Sequence, residues 1–107
     1  MSAAFVYVTT ASPDQAERIG RALVEARLAA CVNILPGMRS IYHWRGGIET
    51  AEETVLVAKT RLSLAEALAA KVKELHSYEV PCVVVLPIAA GLPEFLRWID
   101  DETAPTT

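Results

Sequence analysis

Apolar and polar positions change period several times along the chain, and each change marks an element. Residues 5–10 form a short apolar run of β-formers, read as a first strand. Ser12-Pro13-Asp14-Gln15 then opens a helix, with Ser12 as N-cap, Pro13 in the first helical position and Gln15 closing a capping box. Ala16, Ile19, Leu23 and Ala26 hold one face at helical spacing while Glu17, Arg18, Arg21 and Glu25 take the others, and the helix is predicted to end near Leu28. Strand character resumes at residues 31–35, and Pro36-Gly37 imposes a bend or bulge. The run at 54–58, Thr-Val-Leu-Val-Ala, is apolar without alternation and suits a central strand covered on both faces. Ser63 and Glu66 repeat the capping-box pattern ahead of a second helix striped by Leu64, Leu68, Val72 and Leu75, with His76 in its last turn. Residues 77–81 read as a loop, 82–86 as a last buried strand and Pro93 as the start of a short helix with Leu96 and Ile99 inward; residues 104–107 are expected to fray.

The order βαββαβ plus a terminal helix predicts an α+β, ferredoxin-like sandwich: one antiparallel sheet with both crossover helices on one face. Apolar residues occupy both faces of these strands, so the second face has no cover within the chain. The segment between the helices adds to this. Gly46-Gly47 has the character of a type I′ hairpin turn. The flanking strands, 31–44 and 48–60, are long: thirteen extended residues span roughly 43 Å, against a diameter of roughly 35 Å for a globular domain of this size. The tip of this hairpin, with Ile41, Tyr42, Trp44 and Ile48, is therefore expected to project and to find cover in another subunit.

Composition narrows the function classes. The 107 residues suffice for one domain, 1–107, and 52% of them are hydrophobic. The net charge is −3 without any Lys/Arg cluster, which argues against a nucleic-acid partner. The longest apolar run, 80–92, is too short for a bilayer and is broken by Pro81 and Pro87, so no membrane association is expected. Residues 1–4 show no basic leader, and Cys31 and Cys82 stand outside any paired spacing, so a cytoplasmic protein with two free thiols is expected. Each cysteine begins an apolar strand and reads as a small buried hydrophobe. No nucleophile–base set, phosphate loop or H-E-x-x-H motif is present, and no enzymatic activity is expected.

Four stretches carry a family resemblance: A-C-V-N-I-x-P-G-M-x-S-I-Y-x-W-x-G-x-I-E over residues 30–49, Lys59-Thr60, H-x-Y-x-x-P over 76–81 and L-x-W-I over 96–99. In these motifs, co-linear over residues 4–103, the chain resembles the CutA divalent-cation-tolerance family. The resemblance implies a homotrimer, assembled through sheet faces and the Gly46-Gly47 hairpin arm, with a role in divalent metal ion (copper) binding and tolerance. Some members carry a Cys near the end of the first strand and a His-His pair at the end of the second helix; the corresponding positions here are Thr9 and Leu75-His76. His76 is then the remaining metal candidate, and a lone imidazole needs recruits such as Cys31, Cys82, Met38 or a carboxylate. The bland reading of His76 is a helix-end histidine favoured by the helix dipole.

The resemblance also makes Lys59, Tyr78, Trp44 and Glu53 candidates for a ligand cleft between chains. Lys59, His76 and the Tyr78 hydroxyl suit a small anion, which is a second function class: a sensor similar to the trimeric PII proteins, binding ligands between subunits. Against this, a lysine at a strand end ordinarily snorkels to solvent. Glu49, Glu52 and Glu53 offer hard oxygen ligands, weakened because Glu52 and Glu53 should face opposite sides of their strand; His43 reads as a solvated arm residue. A third class is a structural oligomerisation module whose partner supplies the activity.

Overall fold

The computed structural model describes residues 2–105. Strand β1 (Ala3–Thr10) leads into helix α1 (Pro13–Glu25), followed by β2 (Cys31–Trp44), β3 (Gly47–Arg61), a single 3-10 turn (Leu62–Leu64), α2 (Ala65–Leu75), β4 (Val83–Pro87) and α3 (Pro93–Glu102). The sheet order is β2-β3-β1-β4, with each neighbouring pair antiparallel. This is the ferredoxin-like arrangement expected from the element order, made of two split βαβ units.

The helix-covered face takes alternate residues of each strand, as the period of two requires. Val6 and Val8 of β1 and Leu56 and Ala58 of β3 pack against Ile19 and Leu23 of α1 and Leu68 and Val72 of α2, all fully buried. Gly20 lets α1 settle onto this face: a Cβ there would stand 2.8 Å from Val32 Cγ2 and 3.2 Å from Leu56 Cδ1. At the start of α1, Ser12 Oγ accepts from the Gln15 N–H as expected, but Gln15 Oε1 accepts from the Ala11 N–H, one residue upstream of the usual capping-box partner. The helix ends at Glu25 rather than near Leu28. Arg27 takes a left-handed φ of 59°, with its N–H on the Val24 carbonyl and that of Leu28 on the Leu23 carbonyl, a Schellman closure made without glycine.

The opposite face carries Phe5 and Tyr7 of β1, Val55 and Val57 of β3, Leu35 of β2, and Val84 and Leu86 of β4. Leu35, Val84 and Leu86 lie exposed there. Only one end of this face is covered within the chain. Helix α3 lies across it, with Ile99 buried against Ala3 and Ala30, and Arg61 donating to the Asp100 carbonyl and to Thr103 Oγ1. Beyond α3, the Ala104 N–H donates to the Arg27 carbonyl at 2.8 Å, so the tail is tied at a position expected to fray; residues 106–107 lie outside the described residues.

The arm projects as the lengths of its strands demand, and the long axis of the molecule is 44 Å against 25 and 21 Å across. The ladder slips between Leu35 and Met38, where Pro36 and Gly37, with a φ of 81°, form the bulge. The tip differs from expectation by one residue. Positive φ falls on Arg45 and Gly46, while Gly47 pairs with Trp44, so the two-residue turn is Arg45-Gly46 rather than Gly46-Gly47. At the tip Ile41, Trp44 and Ile48 are 71%, 55% and 69% exposed.

Replacing Gly20 with Ala sets two terms against each other. The gain in helix propensity is up to about 1 kcal/mol, whereas crowding stiff, β-branched Val32 costs about 1–3 kcal/mol. The expected outcome is a net loss of stability, read as a lower urea midpoint with unchanged slope. Pairing it with Val32→Ala should lessen the loss caused by Gly20→Ala; a stabilised Gly20→Ala protein would contradict the close approach.

Candidate functional site

Below the bulge, where the arm leaves the body, the strand alternation places Met38, Ser40, Tyr42 and Trp44 of β2 on the same face as Glu53 of β3. Glu53 is only 8% exposed although it bears a charge. One carboxylate oxygen, Oε1, accepts from Ser40 Oγ at 2.6 Å, and Oε2 accepts from the Tyr78 hydroxyl at 2.8 Å. Tyr78 belongs to the loop after α2, and its bond to Glu53 ties that loop to the base of the arm. Gln15 secures the same loop from α1, its Nε2 donating to Ser77 Oγ at 2.7 Å. Burial pushes the Tyr78 phenol up to about 12, helped by its hydrogen bond to Glu53 and by that carboxylate's charge.

His76 stands at the C-cap of α2 in extended conformation, one residue beyond the last helical turn expected to hold it. It is 9% exposed. Its Nε2 lies 2.7 Å from the Thr9 carbonyl oxygen, and its Nδ1 lies 3.0 Å from the Tyr78 backbone N–H. A carbonyl only accepts and an N–H only donates, so the partners assign the proton: Nε2 carries it and Nδ1 accepts. The imidazole thereby links the end of β1 to the α2–β4 loop, and its ring meets that of Tyr78 at 4.6 Å between centroids.

This geometry does not fit the metal role expected for His76. A metal takes an unprotonated ring nitrogen, and the only such lone pair, on Nδ1, already accepts a backbone hydrogen bond. Neighbouring Thr9 and Leu75 offer neither thiolate nor imidazole. Among the described residues no group of three or more His, Cys, Asp or Glu side chains is placed to hold an ion. Cys82, expected to be buried, is exposed just before β4, and Cys31 is half-buried; both are free thiols.

The remaining site residues divide. Glu53 and Tyr78 meet at the base of the arm, and an open cleft of about 360 Å³ runs from them between the arm and the loop, past Tyr42 to Trp44, which stands opposite Gly47 further along the arm; Glu79, Val80, Thr9 and Cys82 also line it. Lys59 does not join them. It lies on the same strand as Glu53 but six residues on, roughly 20 Å away. Its ammonium donates to Asn33 Oδ1 at 2.6 Å and sits 5.9 Å from the Phe95 ring, beside α3. The trio of Lys59, His76 and Tyr78 expected for an anion therefore does not form within one chain. Ser40, Gln15 and Tyr42 escaped sequence reasoning: Ser40 faces Glu53 only because the bulge resets the register, and Gln15 carried only a capping signal.

The raised phenol has a measurable consequence. Its folded value of about 12 exceeds the ordinary 10, so the stability it links is complete below pH 10 and is lost as pH rises through about 12. Ultraviolet titration should find one of the three phenols ionising last, near 12. Tyr78→Phe should remove that step, and Glu53→Gln should move it down. A wild-type titration with no such late step would contradict the network.

Comparison with known proteins gives this architecture its relatives. The profile of the CutA1 divalent ion tolerance proteins matches residues 4–102. The divalent-cation tolerance protein CutA of Thermus thermophilus is 47% identical over 98 residues, covering 92% of this chain and 95% of its own. The crystal structure of CutA1 from Oryza sativa superposes with a TM-score of 0.96 at 40% identity, over 99% of this chain and 97% of that one. The structure of the periplasmic divalent cation tolerance protein CutA from Archaeoglobus fulgidus gives 0.91 at 45% identity, over 94% and 97%. This chain spans 55% of the full-length chloroplastic protein CutA 1 of rice. With the profile running the length of the fold, and relatives agreeing in both sequence and structure, the chain belongs to the CutA1 divalent ion tolerance family.

Proposed function

We propose that the protein serves divalent-cation tolerance as a self-assembled homotrimer, packed through the uncovered sheet face and the projecting arm. One observation carries this reading: Leu35, Val84 and Leu86 on the sheet, with Ile41, Trp44 and Ile48 on the arm, form apolar surface that the chain itself does not cover. Three inward-facing sheets would bury it. Copper, or another divalent ion, enters this reading through exposed groups such as His43, Glu49, Glu52 and Cys82 rather than through His76, whose two nitrogens are engaged. Binding of that kind is weak, because scattered ligands pay the full entropy of being gathered. The two free thiols suit a reducing compartment and support a cytoplasmic setting. A PII-like anion sensor finds less support, since Glu53 and Glu79 are the charged residues lining the cleft.

Light scattering at micromolar concentration should give three chains per particle, with an unfolding midpoint that rises with protein concentration. Val84→Asp, placed on the exposed part of the sheet face, should abolish the trimer; a wild-type monomer, or an undisturbed Val84→Asp trimer, would remove the assembly from this reading.

Calorimetric titration with copper(II) should give the same weak isotherm for wild type and His76→Ala, while the substitution lowers thermal stability by leaving the Thr9 carbonyl and Tyr78 N–H unpaired, about 1–3 kcal/mol each. Tight binding lost in His76→Ala would restore that residue as a ligand.

A further inference from the structure

The loop between α2 and β4, residues 77–82, lies outside helix and strand, and separate side-chain bonds hold it in place. Gln15 Nε2 donates to Ser77 Oγ at 2.7 Å, the Lys73 ammonium bonds the Glu79 carbonyl, and the Tyr78 hydroxyl reaches Glu53 at 2.8 Å. The Tyr78 backbone N–H donates to His76 Nδ1 at 3.0 Å. Amides, hydroxyls and ammonium groups keep their donors between about pH 5 and 8, and carboxylates ordinarily keep their charge there; an imidazole does not keep one state. One tie of the loop therefore differs in kind from the rest, and neither metal tolerance nor assembly makes use of it.

The His76 ring is buried and carries one proton, on Nε2, which it donates to the Thr9 carbonyl at 2.7 Å. A second proton has only Nδ1 to go to. There it would meet the Tyr78 N–H head-on, donor against donor. The titratable and charged groups about the ring are engaged elsewhere. From the loop, Tyr78 stands 4.6 Å away between ring centroids and holds its phenolic proton to about 12, while Glu79 is exposed. From β3, Glu53 spends its oxygens on Ser40 and Tyr78. From α2, Lys73 is bonded to the loop and Glu74 to Lys71. Thr9 of β1 and Gln15 of α1 are neutral, and Cys82, ahead of β4, is an exposed thiol. Both bonds of the ring go to backbone groups of its own chain, whichever surface an assembly covers.

We propose that His76 is an acid-sensitive latch: neutral, it fastens the 77–82 loop to the base of the arm, and protonation at Nδ1 releases the loop. A proton from solvent bonds to the Nδ1 lone pair, and the Tyr78 N–H gives up that acceptor. As the Tyr78 backbone turns away, its hydroxyl leaves Glu53, which keeps Ser40, and arm and loop part. A loop held by a few single bonds opens at less cost than the sheet beneath it. The sign follows from which state takes the proton. The latched ring has no place for it and the released ring does. The latch is therefore at full strength above the ordinary imidazole range and loosens as pH falls through it, by up to about tenfold in population for each pH unit. Every bond involved lies within one chain, so the latch does not depend on how many chains assemble.

The test follows amide hydrogen exchange by NMR on the full chain at about pH 8 and about pH 5, in buffer holding a metal chelator and with rates corrected for intrinsic exchange. Protection of the Tyr78 amide is expected to fall about tenfold or more at the lower pH, while Leu56 and Ala58 in the sheet keep theirs. His76→Gln offers Thr9 an amide donor and Tyr78 an oxygen acceptor but cannot titrate, and should flatten the difference. His43→Gln, on the arm, should leave it unchanged. Should His76→Gln fail to fold, the ring nitrogens of the wild type give the same reading: Nε2–H alone at the higher pH, with Nδ1 gaining a proton as the Tyr78 amide loses protection. An Nδ1–H tautomer at the higher pH, or Tyr78 protection equal at both, would overturn the proposal. So would a fall that persists in His76→Gln, which assigns it to Glu53, or a parallel fall at Leu56 and Ala58, which marks general acid unfolding.

Discussion

Apolar side chains stand on both faces of the four-stranded sheet, and the crossover helices cover only one of them. The rest of the structure is arranged around that imbalance. On the covered face Leu56 and Ala58 meet Ile19, Leu23, Leu68 and Val72, and the packing is close enough that Gly20 has no room for a side chain. On the other, α3 reaches one end and leaves Leu35, Val84 and Leu86 in solvent. A sheet that central strand β3 fills with Val55, Leu56, Val57 and Ala58 has no polar side to present to water, so association is the available means of burying it.

The arm prolongs the same two strands beyond the body, and a polar network holds its base. Pro36 and Gly37 bulge out of β2, which shifts the register by one residue and brings Ser40 onto the face of Glu53. Glu53, Tyr78, His76 and the Thr9 carbonyl then connect arm, loop and first strand through hydrogen bonds. Each member is satisfied by a neighbour, which fixes the His76 proton on Nε2 and removes the ring from metal chemistry. The open cleft lies beside this network, with Glu53 and Tyr78 in its wall.

Much of the fold was legible in the chain. The element order, the Ser12-Pro13 start of α1, the bulge at Pro36-Gly37 and the projecting hairpin all rest on local rules of φ, capping and period, and the structure bears them out. The errors have physical reasons. The turn moved to Arg45-Gly46 because type I′ geometry needs positive φ at two central residues while strand register decides which two they are; Gly47 was captured by Trp44. The tail at Ala104 is held by the Arg27 carbonyl, a partner 77 positions distant in sequence. Cys82 begins an apolar run yet lies exposed, because it stands just ahead of β4, the edge strand of the sheet, where only one side has a neighbouring strand.

The candidate site was legible as a set of residue types and illegible as a constellation. The sequence alone determined the family motifs, the one-sided sandwich, the apolar arm and the scarcity of metal ligands at Thr9 and Leu75, since those depend on residue identity and short-range spacing. Only the tertiary structure decided that Trp44, Glu53 and Tyr78 share a cleft while Lys59 stands at the other end of β3, and that His76 spends both nitrogens on backbone groups. Those outcomes turn on sheet register and on the docking of a loop against a strand end. Both are set by contacts between residues tens of positions apart, which no local pattern encodes.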